Sequence, residues 1–248
     1  MATPLPTRST RTLPGWAQHW WAWFAAAFLV TFISFWPSFF SAITNTATHI
    51  LIHGLSASAW MLLTVAQAVL IKKGWRNTHR KLGYVSIGLA AIVVVSGLWV
   101  LKTMMLGDNG PGTDGFPLSL KFFYLDVTGL ALFGIFLGLA IKAARQRDIA
   151  LHLRLIACTA IIPLEAVLER SYLYGTPSLV PNLDGSLIAS EVTLIVLTSA
   201  LIVAEWRYSQ LRWPFTLMLG YYMTMLFTQD LMARSQWFTT LALDYANL

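Results

Sequence analysis

Long apolar runs separated by short polar connections dominate this chain. A helix needs roughly 20 apolar residues to cross the hydrocarbon core of a bilayer, and several runs reach about that length. They lie at residues 20–40, 49–71, 82–105, 118–141, 149–172, 187–206 and 215–231. The pattern therefore predicts an all-α, polytopic membrane bundle of about seven transmembrane helices. Pro163 lies inside the fifth run and is expected to kink it.

Basic residues recur in every second connection, which predicts the orientation of the bundle. The second connection, "KKGWRNTHRK", is densely basic, whereas "LGDNGPGTDG" and "GTPSLVPNLDG" carry no Lys or Arg. Because Lys and Arg mark cytoplasmic loops, the N-terminus is predicted inside and the C-terminus outside. We interpret residues 1–248 as one transmembrane domain. It has a cytoplasmic tail at 1–17, a four-helix core unit at 47–175 and two additional spans within 185–232.

Composition agrees with a protein embedded in lipid. The chain is 56% hydrophobic and only 11% charged, whereas soluble domains carry about a quarter charged residues. The net charge of +6 follows from the basic loops, so it predicts topology and does not indicate nucleic-acid binding. The lone Cys158 excludes an intramolecular disulfide. The partner that the composition predicts is the lipid bilayer.

Polar residues concentrate in the predicted outer half of the spans. His49 and His53 are four residues apart and therefore share one helix face. Five carboxylates fall on the same side: Asp126, Glu165, Glu169, Glu191 and Asp230. Charged groups in hydrocarbon are costly unless they are paired or lie in a polar cavity.

Two interpretations of this outer group stay open. In the first, the residues are locally satisfied: Arg170 pairs with Glu165 or Glu169, Asp230 pairs with Arg234, and Glu191 and His49 are wetted at the interface. In the second, His53 faces the interior near Asp126, Glu165 or Glu169. That donor set suits a non-haem transition metal, with accessory roles for His49, Arg170, Glu191 and Asp230.

A second pair of histidines lies at the predicted cytoplasmic ends of two helices. His79 precedes the third run and His152 begins the fifth. One His from each of two helices at similar depth is the arrangement that binds haem b, so both are candidate cofactor ligands. The alternative is an interfacial structural role, because Arg80, Lys81 and Arg154 surround them.

The segments "HRKLGY" and "HLRLIACTAIIPLEAVLER", together with His53, resemble a known membrane family. They are similar to the uncharacterised bacterial family catalogued as domain of unknown function 2306, over residues 47–175. The matched motif positions are His53, His79, Arg80, Leu82, Gly83, His152, Arg154 and Arg170. Cys158 and Leu155 depart from the family pattern, which often has an arginine and an aromatic residue there. The resemblance implies a multi-pass protein of the bacterial inner membrane but supplies no reaction.

The outline of paired histidines on four helices is also similar to b561-type membrane cytochromes. No hydrolase, NTPase, metalloprotease or dinucleotide motif is present. The leading hypothesis is therefore a metal- or haem-linked redox protein, a membrane oxidoreductase with a redox or complex partner. The alternatives are a transporter or proton-conducting protein that uses the outer His and carboxylate group, or an accessory structural subunit.

Overall fold

The fold is helical throughout the part of the chain that the structure describes. The computed structural model describes residues 19–107, 110–180, 182–208 and 211–247, and those residues form helices and turns without a strand. The helices of the described residues are α1 (Trp20–Phe35), α2 (Thr48–Lys72), α3 (Arg76–Leu106), α4 (Phe116–Arg145), α5 (Ile149–Ile161), α6 (Leu164–Gly175), α7 (Leu183–Tyr208), α8 (Trp213–Ala233) and α9 (Gln236–Asn247). The all-α prediction is confirmed.

Among the described residues, five helical segments are long and apolar enough to cross a membrane. They are α2, α3, α4, the combined α5–α6 segment and α7. The shorter α1 is apolar but has only 16 residues. A multi-pass membrane protein follows from these segments.

Pro163 divides the α5–α6 segment. Helix α5 ends at Ile161 and α6 begins at Leu164, because proline has no N–H to donate and its ring clashes with the preceding turn. The Glu165 N–H bonds the Ile162 carbonyl (3.3 Å), which leaves the Ile161 carbonyl without its usual partner in the helix. The Tyr222 hydroxyl of α8 donates to that carbonyl at 3.4 Å. The predicted kink is therefore a break that a neighbouring helix satisfies.

The helices surround a common interior. Helix α2 packs between α1 and α3, α4 packs against α3, α5 and α8, and α7 packs between α6 and α8. Helix α1 also contacts α6, which brings the first helix against the second half of the broken segment. Large side chains such as Trp60, Phe136, Phe215 and Tyr222 fill the core. Since lipid is as apolar as these side chains, close packing is what holds the helices together.

Three features differ from the predicted spans. Helix α1 ends at Phe35 rather than at 40, and a separate 3-10 helix covers Phe40–Asn45. Helix α3 begins at Arg76 rather than at 82, so His79 lies inside its first turn. An additional helix, α9, follows α8, and it packs Phe238, Ala242 and Ala246 against the end of α3 and the start of α4. The Tyr245 hydroxyl of α9 donates to the Leu98 carbonyl at 2.8 Å.

Candidate functional site

Ion pairs identify the two ends of the bundle. At one end, Lys121 near the start of α4 binds Asp184 at the start of α7 (2.6 Å) and Asp230 near the end of α8 (2.5 Å). We call this the distal end. At the other end, Arg212 before α8 donates to Asp148 before α5 (2.8 Å). We call this the basic end, because the connections rich in Lys and Arg lie there.

A central cavity of about 160 Å³ lies among α1, α2, α3, α4, α6 and α8. Its wall is mostly apolar, with Trp60 and Phe133 among the lining side chains. The polar lining residues come from five helices, α1, α2, α4, α6 and α8: Thr31, His53, Ser58, Asp126, Glu165, Tyr221 and Tyr222. Ile162 and Pro163 also line it, so the helix break opens onto this cavity.

His53 faces this interior, although its direct partner is a serine. Its Nδ1 lies 3.2 Å from the Ser96 hydroxyl of α3, and Ser96 also donates to the Ile92 carbonyl at 2.6 Å. Within the described residues, no hydrogen bond or salt bridge joins His53 to a carboxylate. His53 instead shares the cavity wall with Asp126 and Glu165.

The two cavity carboxylates are poorly paired. Asp126 is partly exposed, because it faces the cavity, and the described residues offer it no hydrogen bond or ion pair. Glu165 is 8% exposed and accepts one long hydrogen bond, from Ser190 of α7 at 3.5 Å. The charged groups within electrostatic range of Glu165 are Asp126, Glu169, Glu191 and Arg170. The cavity wall therefore carries two carboxyl groups that have few protein partners.

Glu169 and Arg170 form the local pair that the sequence suggested. Arg170 Nη1 donates to Glu169 Oε2 at 3.0 Å and to the Ala166 carbonyl at 3.1 Å. The guanidinium also lies over the Phe35 ring, 4.4 Å from its centroid. This contact attaches α1 to α6 through a cation–π interaction.

One predicted pairing, that of Asp230, and one predicted exposure, that of Glu191, are wrong. Asp230 pairs with Lys121 rather than with Arg234, because α4 brings an ammonium group to the end of α8. Glu191 is not wetted at the interface, since it is 0% exposed and accepts a hydrogen bond from Gln229 of α8 at 2.7 Å. His49 is only partly buried, and its ring lies 5.9 Å from that of Trp99.

At the basic end, His79 and His152 have protein partners. His152 Nδ1 lies 2.9 Å from the Ala140 carbonyl. With the Gln67 amide oriented to satisfy its neighbours, its nitrogen donates to His79 Nδ1 (2.7 Å) and its oxygen accepts from the Gly83 N–H (3.1 Å). The two imidazoles are within electrostatic range of each other.

The hydrogen bond from Gln67 favours the His79 tautomer that carries its proton on Nε2. An Nδ1 that accepts a hydrogen bond leaves the proton of a neutral imidazole on Nε2, and a ring nitrogen must be free of its proton to bind a metal. Reversing the tautomer would require the Gln67 amide to turn. Its nitrogen would then face the Gly83 N–H.

Sequence reasoning missed an ion pair between α5 and α7. Arg154 and Glu205 bind each other, and both are almost fully buried. The Arg212 N–H also donates to Glu205 Oε2 at 3.1 Å. Glu205 inside an apolar run was the available signal, as was Lys121 in "FPLSLKFF". Neither position indicates which distant residue will meet it.

The predicted metal ligands do not gather in one cluster within the described residues. No group of three or more His, Cys, Asp or Glu side chains placed to hold a metal ion occurs within residues 19–107, 110–180, 182–208 and 211–247. His53, Asp126 and Glu165 thus line one cavity without forming such a cluster.

Comparison with known proteins adds no relative. No protein-family model, curated protein or solved structure matches the chain.

Proposed function

We propose that this chain is a multi-pass protein of the bacterial inner membrane that conducts protons or couples proton movement to transport. The observation that carries the proposal is the central cavity, which Asp126, Glu165 and His53 line beside a broken helix. Intramembrane ionisable residues that face a cavity are typical of proton relays and substrate pathways. The resemblance of the His53, His79 and His152 motifs to a bacterial membrane family supports the localisation.

The proposed topology has seven spans, with the basic end in the cytoplasm. It adds α1 and α8 to the five long apolar segments. The ion pair of Lys121 with Asp184 and Asp230 supports it, because the start of α4, the start of α7 and the end of α8 then share one side. The positive-inside rule assigns the other side to the cytoplasm. The N-terminus is then inside and the distal end outside.

The depth of the cavity residues supports a proton pathway. Asp126 is ten residues after the start of α4, which is roughly 15 Å along the helix axis from the distal end. Broken transmembrane helices in transporters lie at the binding site, where irregular backbone is tolerated because it lines a cavity. In this chain the break at Pro163 lies next to Glu165, so the backbone and the carboxylate open onto the same space.

Proton flux into liposomes tests the proposal. The purified protein is reconstituted around a pH-sensitive dye, and a potassium diffusion potential drives protons inward. We expect faster acidification than in protein-free liposomes. Asp126→Asn and Glu165→Gln should each lower the rate at least tenfold, because an amide cannot accept and release the proton. Asp114→Asn, the same chemical change in an exposed connection, should leave the rate unchanged.

Two results would contradict this function. Equal acidification with and without protein would favour an accessory structural subunit. A Soret band that disappears in His79→Ala and His152→Ala but persists in His53→Ala would favour the haem-linked redox hypothesis.

A further inference from the structure

A buried amide and carboxyl pair lies outside the central cavity, between α7 and α8. Glu191 and Gln229 are 0% and 3% exposed. Gln229 Nε2 donates to Glu191 Oε2 at 2.7 Å. The other oxygen of each side chain, Glu191 Oε1 and Gln229 Oε1, is buried and has no hydrogen-bond partner among the described residues.

Two side chains that share a hydrogen bond each keep one buried oxygen without a partner, and this arrangement requires an explanation. Leaving a buried polar atom without a partner is unfavourable, because its lost hydration is not replaced, and the cost is greater for a charged atom. A carboxylate has only acceptors, and so has the amide oxygen. While Glu191 is ionised, its Oε1 and the Oε1 of Gln229 are both acceptors, so these two oxygens cannot form a hydrogen bond with each other.

A single proton satisfies both atoms. With a proton on Oε1, the carboxyl group of Glu191 donates to Gln229 Oε1, while Gln229 Nε2 continues to donate to Oε2. A carboxylic acid and a primary amide have matching donor and acceptor pairs, so two parallel hydrogen bonds close a planar pair. We propose that Glu191 is a proton-binding site, occupied at neutral pH and closed by Gln229.

The neighbouring charges do not offer an alternative partner. Lys121 of α4 is the nearby cation, and its ammonium group is held by Asp184 and Asp230. Those two carboxylates, from α7 and α8, and Glu165 from α6 are the anionic groups within electrostatic range. A hard metal cation takes about six oxygen ligands, and two spare oxygens are too few for one. The surroundings therefore favour a neutral acid over a carboxylate.

The position of this site also assigns it a role, which rests on the proposed function. Ser190 precedes Glu191 on α7 and donates to the cavity residue Glu165. On its other side, Glu191 lies near Lys121, Asp184 and Asp230 at the distal end, where the two aspartates are 46% and 63% exposed. Glu191 thus lies between the cavity carboxylates and distal solvent. Glu191 is therefore an intermediate proton-binding site on the path between the cavity and the distal solvent.

Infrared difference spectroscopy at neutral pH tests the site without relying on flux. We expect Glu191→Gln to lose a C=O stretching band of a protonated carboxyl group, with the carboxylate bands unchanged. Its thermal unfolding midpoint should match that of the native protein, because the new amide N–H replaces the acid O–H. Asp184→Asn, the same chemical change on the same helix, should instead lose carboxylate bands, since Asp184 is ion-paired.

A second variant covers a Glu191→Gln protein that does not fold. Gln229→Leu removes the amide, and the acid band of Glu191 should then shift to higher frequency. Loss of carboxylate bands in Glu191→Gln, or a response confined to carboxylate bands in Gln229→Leu, would overturn the proposal. Sodium-dependent thermal stabilisation that Glu191→Gln abolishes would overturn it in favour of a cation. Absence of flux with the acid band present would reject the proposed function alone.

Discussion

Outside the cavity, several buried charges are ion-paired, and the pair between Arg154 and Glu205 is the most enclosed of those among the described residues. Their side chains are 7% and 1% exposed. Removing one partner of a buried ion pair leaves an uncompensated charge, which typically costs 3–5 kcal/mol. We therefore expect Glu205→Gln to lower the free energy of unfolding by about 3–5 kcal/mol, measured by thermal denaturation in detergent.

The matched control for this prediction removes both charges. Arg154→Leu combined with Glu205→Leu should be more stable than Glu205→Gln, because no buried charge is left alone. Equal stability of Glu205→Gln and the native protein would show that the pair contributes nothing.

At single residues, the sequence predicts depth better than partners. His53 was placed one turn deeper than His49, and in the structure it lines the cavity. Its partner Ser96 is 43 residues away, and hydrophobic periodicity carries no information about which helix will face it. Glu191 was misjudged for the same reason, because only the packing of α8 brings Gln229 beside it.

Among the elements, α5 begins with a cap that also connects this helix to the start of α8. The Asp148 carboxylate accepts from the Leu151 N–H at 3.1 Å and from Arg212 at 2.8 Å. Burial alone would raise the pKa of Asp148, but these two hydrogen bonds and the charge of Arg212 lower the pKa below its usual value. The ionised form therefore stabilises the fold.

We expect Asp148→Asn to lose up to about 1 kcal/mol at neutral pH, because the partly exposed ion pair is lost while Asn still caps the helix. Asp148→Ala should lose about 1 kcal/mol more. A depressed native pKa gives stability that is present above the unfolded pKa and is lost as the pH falls through the native one. The thermal midpoints of the native protein and Asp148→Asn should therefore converge on acidification. A constant difference across pH would refute this role.

Helix positions were predictable where the ends of the apolar run in the sequence coincide with the ends of the helix. The run at 49–71 became Thr48–Lys72, and the break at Pro163 followed from the chemistry of proline. Helix α3 starts earlier than predicted because its first turn is polar and lies outside the apolar run. Helix α9 was missed since it is short and needs the ends of α3 and α4 to pack against.

For the whole molecule, the orientation in the membrane is the property that most needs measurement. Asp114, in the connection before α4, and Arg145, the last residue of α4, are exposed at opposite ends, and the native Cys158 is fully buried. We expect a membrane-impermeant maleimide to label Asp114→Cys in intact cells and Arg145→Cys only after permeabilisation. The unsubstituted protein, with Cys158 alone, should remain unlabelled. The reverse pattern would invert the proposed topology.

The shortness of α1 has a consequence for the surrounding lipid. Lys72 lies over the Trp21 ring, 4.3 Å from its centroid, which ties the start of α1 to the basic end, and Trp36 follows its last turn. Fifteen residues separate these tryptophans, which is roughly 22 Å of helix, whereas a bilayer core is about 30 Å thick. Tryptophans are enriched at the headgroup level. With α1 as a span of the proposed topology, we therefore expect the bilayer to be thinner beside α1 and to be enriched there in short-chain lipids.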